Sequence, residues 1–309
     1  MRRCRLIVSL CLGLLAARAA GDDWPHWRGP ARDGVVKDAS NWTAGEWLPA
    51  EPAWTAKVGS GTSSPLVYKG HVYVMGWADK EDSLRCLDLA SGKEKWTQKY
   101  TAPSHGRFHK GEEALYGGPN PTPDIDTETG LLYALSNDGD LNCFDLNNAG
   151  RPVWSLNLYK NYGAKQRPFL TEKYHRDYGY TAAPLVVGGW VVAEVGSTAK
   201  GTYVAFDKKT GKEAWVSELK DEAGHTGGFA LVTVDKVPCL AGLTQRNLAI
   251  VRIDGARAGK TVALQPWVTD GCCNIATPVV VGNSVLVTSG YDQNHIARYD
   301  ASLDGLTEV

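Results

Sequence analysis

Ala205-Phe206-Asp207-Lys208-Lys209-Thr210-Gly211-Lys212-Glu213-Ala214-Trp215 reads as the end of one strand, a tight turn and the start of the next. Phe206 closes a short apolar alternation. Asp207 can accept hydrogen bonds from turn N–H groups two residues on, and Gly211 can take the positive φ that closes the turn. Trp215 opens the following strand with a large aromatic. A single copy would mean a hairpin, but the chain holds several.

Cys86-Leu87-Asp88-Leu89-Ala90-Ser91-Gly92-Lys93-Glu94-Lys95-Trp96 is nearly the same string, and a looser copy runs from Cys143-Phe144-Asp145 through Gly150 to Trp154. Another has Ile253-Asp254, Gly259-Lys260 and Trp267; the last has Tyr299-Asp300 and Gly305. Upstream of the copies sits a second shared string, a small or polar residue and a Pro leading into alternating strands. Examples are Ser64-Pro65-Leu66-Val67-Tyr68, Thr122-Pro123, Ala183-Pro184-Leu185-Val186-Val187 and Thr277-Pro278-Val279-Val280-Val281. The fourth unit, Phe229-Ala230-Leu231-Val232-Thr233-Val234, lacks the Pro. Trp54, Trp96, Trp154, Trp215 and Trp267 recur at steps of 42, 58, 61 and 52 residues, each long enough for about four short strands. A four-strand unit at that period predicts an all-β fold, a β-propeller of four-stranded blades. One such sheet cannot bury both faces, so neighbouring blades must bury them for each other. On that logic Asp88, Trp96, Asp145, Trp154, Asp207, Trp215, Asp254, Trp267 and Asp300 are structural repeat positions.

The expected blades lie near 62–100, 117–160, 179–220, 226–268 and 274–309, within a propeller over 51–309. Residues 21–50 form a Trp-rich arm without strand alternation: Trp24-Pro25-His26-Trp27-Arg28-Gly29-Pro30, then Arg32-Asp33-Gly34. Trp54 looks like the Trp strand of a repeat whose earlier strands are missing, and it is expected to complete the last blade. Residues 1–20 read as a secretory signal peptide: a basic start (Arg2, Arg3, Arg5), a short apolar run and the small-x-small Ala17-Arg18-Ala19. The expected location is extracytoplasmic, periplasmic or secreted, with no transmembrane segment.

With 33 basic against 34 acidic residues, the chain lacks the basic excess of a nucleic-acid binder. Beyond the leader, Cys86, Cys143, Cys239, Cys272 and Cys273 remain. Cys86 and Cys143 replace the Ala205 position and read as small core residues rather than as a disulfide framework.

The strings Leu87-Asp88…Ser91-Gly92-Lys93-Glu94-Lys95-Trp96 and Phe206-Asp207…Thr210-Gly211-Lys212-Glu213-Ala214-Trp215 resemble the pyrroloquinoline-quinone (PQQ) repeat. That repeat occurs in quinoprotein alcohol dehydrogenases and in outer-membrane assembly factors of the BamB type. The arm resembles the opening of secreted PQQ-like repeat proteins of planctomycete-type bacteria. The resemblance covers nearly the whole mature chain. Relatives carry about seven or eight blades, whereas the repeats count about five here; the expectation is a truncated chain, the alternative a small ring closed by the chain ends.

Adjacent cysteines in the quinoprotein dehydrogenases form a vicinal disulfide beside the quinone. The resemblance thus marks Cys272 and Cys273 as cofactor-side candidates, the alternative being two small residues at a strand entrance. That class would bring PQQ with calcium, yet no carboxylate and amide set for the ion, and no catalytic Asp, can be assigned. His105 and His109, followed by Glu112 and Glu113, are candidate metal ligands on a glycine-flanked loop. Lys165, Arg167, Lys173 and Arg176 with interleaved Tyr could meet an acidic partner or a glycan. Asn41-Trp42-Thr43 matches a glycosylation sequon. The expected function is a non-enzymatic scaffold for a protein or peptide; the alternatives are a quinone-dependent oxidoreductase and a carbohydrate-recognition module.

Overall fold

The computed structural model describes residues 23–37, 51–105, 117–166, 178–269, 271, 273–291 and 294–309. The signal-peptide reading, Asn41, His109, Glu112, Glu113, Arg167, Lys173, Arg176 and Cys272 lie outside the described residues.

Twenty strands form five four-stranded antiparallel sheets, each with its strands in chain order. Blade 1 is β1 (Leu66–Tyr68), β2 (His71–Ala78), β3 (Glu81–Asp88) and β4 (Glu94–Thr101). Blade 2 is β5 (Asp124–Asp126), β6 (Leu131–Leu135), β7 (Asp140–Asp145) and β8 (Arg151–Asn157). Blade 3 is β9 (Leu185–Val187), β10 (Trp190–Ser197), β11 (Gly201–Asp207) and β12 (Glu213–Val216). Blade 4 is β13 (Ala230–Val234), β14 (Val237–Leu243), β15 (Asn247–Arg252) and β16 (Thr261–Pro266). Blade 5 is β17 (Val279–Val281), β18 (Ser284–Ser289), β19 (His295–Ser302) and β20 (Gly305–Glu308).

The cores lie between blades. Leu66, Tyr73, Met75 and Leu84 of blade 1 pack on Ile125, Leu132 and Phe144 of blade 2. Tyr133, Leu141 and Cys143 then meet Val191, Val204 and Phe206 of blade 3. Leu185, Tyr203 and Ala205 meet Leu240, Ala249 and Val251 of blade 4, whose Val232 and Ile250 meet Val285 and Tyr299 of blade 5. Period-two alternation therefore feeds both faces of a sheet to neighbours, as a propeller requires. Cys86, Cys143 and Cys239 are fully enclosed in these cores, and burial raises their thiol pKa values to about 11, 12 and 11.

The signature residues join one blade to the next. Asp207 accepts from Lys209 N, Thr210 N and Thr210 Oγ1; Asp88 accepts from Ser91 N and Oγ, and Asp145 from Asn147 N. The turn glycines Gly92, Gly150 and Gly211 hold φ of 68, 71 and 69°, and a Trp from the stretch before blade 1, from blade 1 and from blade 2, respectively, lies against each. A Cβ on Gly92, Gly150 or Gly211 would come within 2.5, 2.4 or 2.7 Å of Trp54, Trp96 or Trp154. Trp54 Nε1 donates to Leu89 O and Trp154 Nε1 to Lys208 O, the carbonyl after the blade's Asp in each case.

Three expectations change. Trp54 does not complete the fifth blade: it seats on the turn of blade 1, and blade 5 forms its own fourth strand, β20, from residues 305–308. Trp267 does not hold the repeat position. Trp96, Trp154 and Trp215 pair with Cys86, Cys143 and Ala205, whereas the equivalent Ile250 pairs with Ala263. Trp267 falls one residue past β16 and is buried between blades 4 and 5. Asp254 and Asp300 do not cap turns through their side chains but pair with Arg252 and Arg298, two residues earlier. In blade 5, β19 runs two residues past Asp300, so the turn moves to Leu303-Asp304.

The face of blade 5 that would meet a following blade is open among the described residues. Val279, Val281 and Ile296 are 41, 65 and 64% exposed, whereas Leu66, Tyr68 and Leu84 at the matching register of blade 1 are 0, 4 and 0% exposed.

Candidate functional site

The N-terminal arm runs along the inner strands of the ring. Trp24 forms an antiparallel bridge with Val67 of β1, and Ile125 N of β5 donates to Pro25 O. Tight turns follow, with Arg28, Gly29, Arg32 and Gly34 at positive φ, and the Trp24 ring lies against Gly29. This folds Arg32 back beside His26. Both reach Asp124, which has no solvent exposure. Arg32 Nη1 and Nη2 donate to Asp124 Oδ1 and Oδ2 at 3.0 and 2.7 Å, and His26 Nδ1 lies 2.7 Å from Oδ1. Val186 N of β9 donates to Oδ2 at 2.6 Å. One carboxylate thus ties the arm to blades 2 and 3, with both oxygens satisfied. Asp126, on the same face of β5, pairs with Lys208 of blade 3 at 2.8 Å. Burial opposes ionisation of Asp126, but hydrogen bonds from Lys208 and Thr129 outweigh it and hold the carboxyl below the usual range.

Sequence reading missed Asp124 and Asp126. The signal was two carboxylates where the matching inner strands carry Leu66 and Tyr68, Leu185 and Val187, or Val279 and Val281.

Beyond the arm, the lead-ins to the inner strands of all five blades converge on a cavity of about 540 Å³. Thr62, Thr122, Thr181, Gly227 and Thr277 line it, one from each blade, with Asn120, Tyr178, His225, Cys273, Ile275, Ala276 and Tyr291. Trp27 of the arm closes one side, its indole laid on Gly227-Gly228, where a Cβ would come within 2.9 or 3.2 Å of it. Trp27 Nε1 is buried without a hydrogen-bond partner. Tyr178 packs edge-on to His225.

Cys273 lines the cavity, with Sγ 3.4 Å from Gly271 O. Its neighbour Asn274 is a fastener: fully buried, it donates through Nδ2 to Thr244 O, Gln245 O and Trp267 O and accepts from Thr269 Oγ1. The quinone that the resemblance implies is a tricarboxylate held with calcium, and it needs cationic and carboxylate partners. Among the described residues that line the cavity there is no Asp, Glu, Lys or Arg, so this donor set does not fit the group.

The other metal candidate, His105, stacks on Trp77 with ring centroids 4.1 Å apart. Among the described residues no group of three or more His, Cys, Asp and Glu is placed to hold a metal ion. Nearby, Asp82 is buried between blades 1 and 2. Burial, reinforced by the negative charges of Asp138 and Asp140, raises its pKa to about 7. A raised carboxyl binds its proton more tightly in the folded state. The stabilisation from this proton is complete below the unfolded pKa near 4 and is lost as pH rises through about 7. Denaturant melts of the wild type should therefore gain about 2 kcal/mol from pH 8 to pH 5 at this site, and Asp82→Asn should abolish that gain. An Asp82→Asn protein with the full wild-type pH dependence would show that Asp82 is not its source.

No described helix is long and apolar enough to cross a membrane. A family model described as outer membrane protein assembly factor BamB matches residues 48–172 and 126–304. The quinohemoprotein alcohol dehydrogenase ADH-IIG of Pseudomonas putida is 30% identical over 156 residues, which is 50% of this chain and 19% of that protein. The chain therefore spans about a fifth of the curated relative it matches. Among solved structures, the β-propeller domain of Myceliophteria thermophila Cps50 (Swd1) aligns at TM-score 0.50 and 10% identity, covering 84% of this chain and 73% of that one. BamB from Moraxella catarrhalis aligns at 0.45 and 19% identity, covering 82% and 61%. The family model runs through the blades that carry the Asp–Gly–Trp turns, and by it this chain belongs to the family of the outer membrane protein assembly factor BamB, a PQQ-like repeat β-propeller.

Proposed function

We propose that this protein is an exported, non-enzymatic propeller that holds a protein partner through the insertion between blades 2 and 3. The observation behind this reading is the basic, aromatic composition of that insertion, in which Lys165, Arg167, Lys173 and Arg176 alternate with Tyr162, Tyr174 and Tyr178. Such a run suits an acidic face on the partner. Membership in a family described as an assembly factor supports the same reading. Export is supported by the basic, apolar and small-residue order of residues 1–20.

The test compares the full mature wild type with a variant in which residues 164–177 are replaced by a short Gly-Ser linker, each as bait in envelope extract, with circular dichroism to check that the fold survives. The partners bound by the wild type should be lost from the variant; capture of none by the wild type, or retention of all of them by the variant, would overturn the proposal. Reconstitution with PQQ and Ca²⁺ should give no dye-linked alcohol oxidation, and turnover there would favour the oxidoreductase reading.

A further inference from the structure

We propose that the cavity at the blade lead-ins is a binding site for an uncharged saccharide. This inference stands apart from the partner surface proposed above. The cavity lies where the lead-ins of all five described blades meet, each contributing to the wall. Its volume of about 540 Å³ falls within the usual range of small-molecule sites, roughly 300–1,000 Å³.

The chemistry of the lining selects the ligand class. No described lining side chain is a carboxylate, ammonium or guanidinium, so a charged ligand would give up water without gaining a counter-charge. The wall is not apolar either. Thr62, Thr122, Thr181 and Thr277 each bring a hydroxyl: those of Thr62 and Thr181 donate to Asn120 Oδ1 and Thr226 O and keep lone pairs as acceptors, while that of Thr122 accepts from Ser64 N and keeps its proton as a donor. Asn120 Oδ1 accepts from Thr62 Oγ1 at 2.5 Å, which leaves the Asn120 amide N–H groups as donors. A hydrocarbon ligand would strip water from this remaining capacity and return nothing, whereas sugar hydroxyls can donate to the Thr62 and Thr181 oxygens and accept from the Asn120 amide.

The aromatic groups complete the match. Trp27, Tyr178 and Tyr291 surround the same space, and the electron-rich face of an aromatic ring attracts the weakly positive C–H faces of a sugar ring. Trp27 is held rigidly, its ring on the Gly227-Gly228 backbone and its chain anchored through His26 and Arg32 to Asp124. The arm thus supplies the recognition platform, and the blades supply the hydrogen bonds.

Calorimetric titration of the full mature protein with cellobiose, xylobiose, maltose and N,N′-diacetylchitobiose tests this, with PQQ as the anionic comparison. At least one disaccharide should bind saturably, with Kd on the order of 0.1–1 mM. Trp27→Ala should weaken that binding about tenfold or more, and Trp27→Phe should restore most of it. Since Trp27→Ala also removes packing from the arm, Tyr291→Ala, at a half-exposed position, serves as the second variant and should weaken binding without changing the melting temperature. No binding of any of the four, binding of PQQ instead, or affinities unchanged in both Trp27→Ala and Tyr291→Ala would each overturn the proposal.

Discussion

Replacing Asp124 with Ala should destabilise the protein by about 3–5 kcal/mol, the range for removing one partner of a buried ion pair. Asp124 is fully enclosed, and the substitution strands Arg32, His26 and Val186 N–H at once. The cost is mostly that of leaving a guanidinium unpaired in a partly dry site, not the net worth of the pair. Arg32→Ala should therefore cost less, since Asp124 keeps His26 and Val186 N–H as partners. Urea melts of both single variants and the double variant give the coupling, expected at about 1–3 kcal/mol. An Asp124→Ala loss below about 1 kcal/mol would mean that the arm is not anchored there.

Gly150→Ala should cost about 2–4 kcal/mol, although it adds a single methyl group. Two effects combine. Gly150 sits at φ 71°, a left-handed conformation that costs a residue with a Cβ roughly 1–2 kcal/mol. The new Cβ would also lie 2.4 Å from the Trp96 ring, forcing the indole off its seat, and overpacking of that kind typically costs about 1–3 kcal/mol. Gly188→Ala separates the two: its φ is 57° and nothing lies within 4 Å of the added carbon, so only the backbone cost of roughly 1 kcal/mol applies. If thermal melts showed equal losses for both variants, the Trp-on-glycine contact would not be a principal fastener between blades 1 and 2.

These fasteners explain what the sequence made legible. Asp207, Gly211 and Trp215 recur because each blade's turn is the docking point for the indole of the unit before it, and a local string records both halves of that contact. Trp267 was misplaced because spacing shows that a Trp is near but not which residue faces which. The bulge between Ile250 and Val251 sets Ala263 opposite Ile250, and only strand pairing reveals it. Trp54 was read as a strand in search of a sheet, but its partner was the glycine turn of the very next unit.

The axis was hardly legible at all. Arg32 and Asp124 are 92 residues apart, and nothing local to either predicts the other. The Trp24–Pro30 string was visible as a motif, but its purpose emerged only with the inner strands of blades 1 to 3 beside it. The cavity is harder still, because each of its threonines is an ordinary lead-in residue in its own blade. The recognition chemistry exists only in the ring they share.

Amide hydrogen exchange tests most directly whether the arm is an axial strap. Val67 N donates to Trp24 O and Ile125 N to Pro25 O, whereas Val192 lies within blade 3, away from the arm. Comparing the wild type with a protein lacking residues 23–37, the amides of Val67 and Ile125 should lose protection by about 100-fold or more while that of Val192 keeps most of its own. Unchanged protection at Val67 and Ile125 in the shortened protein would contradict the strap, and with it the platform on which Trp27 meets the cavity.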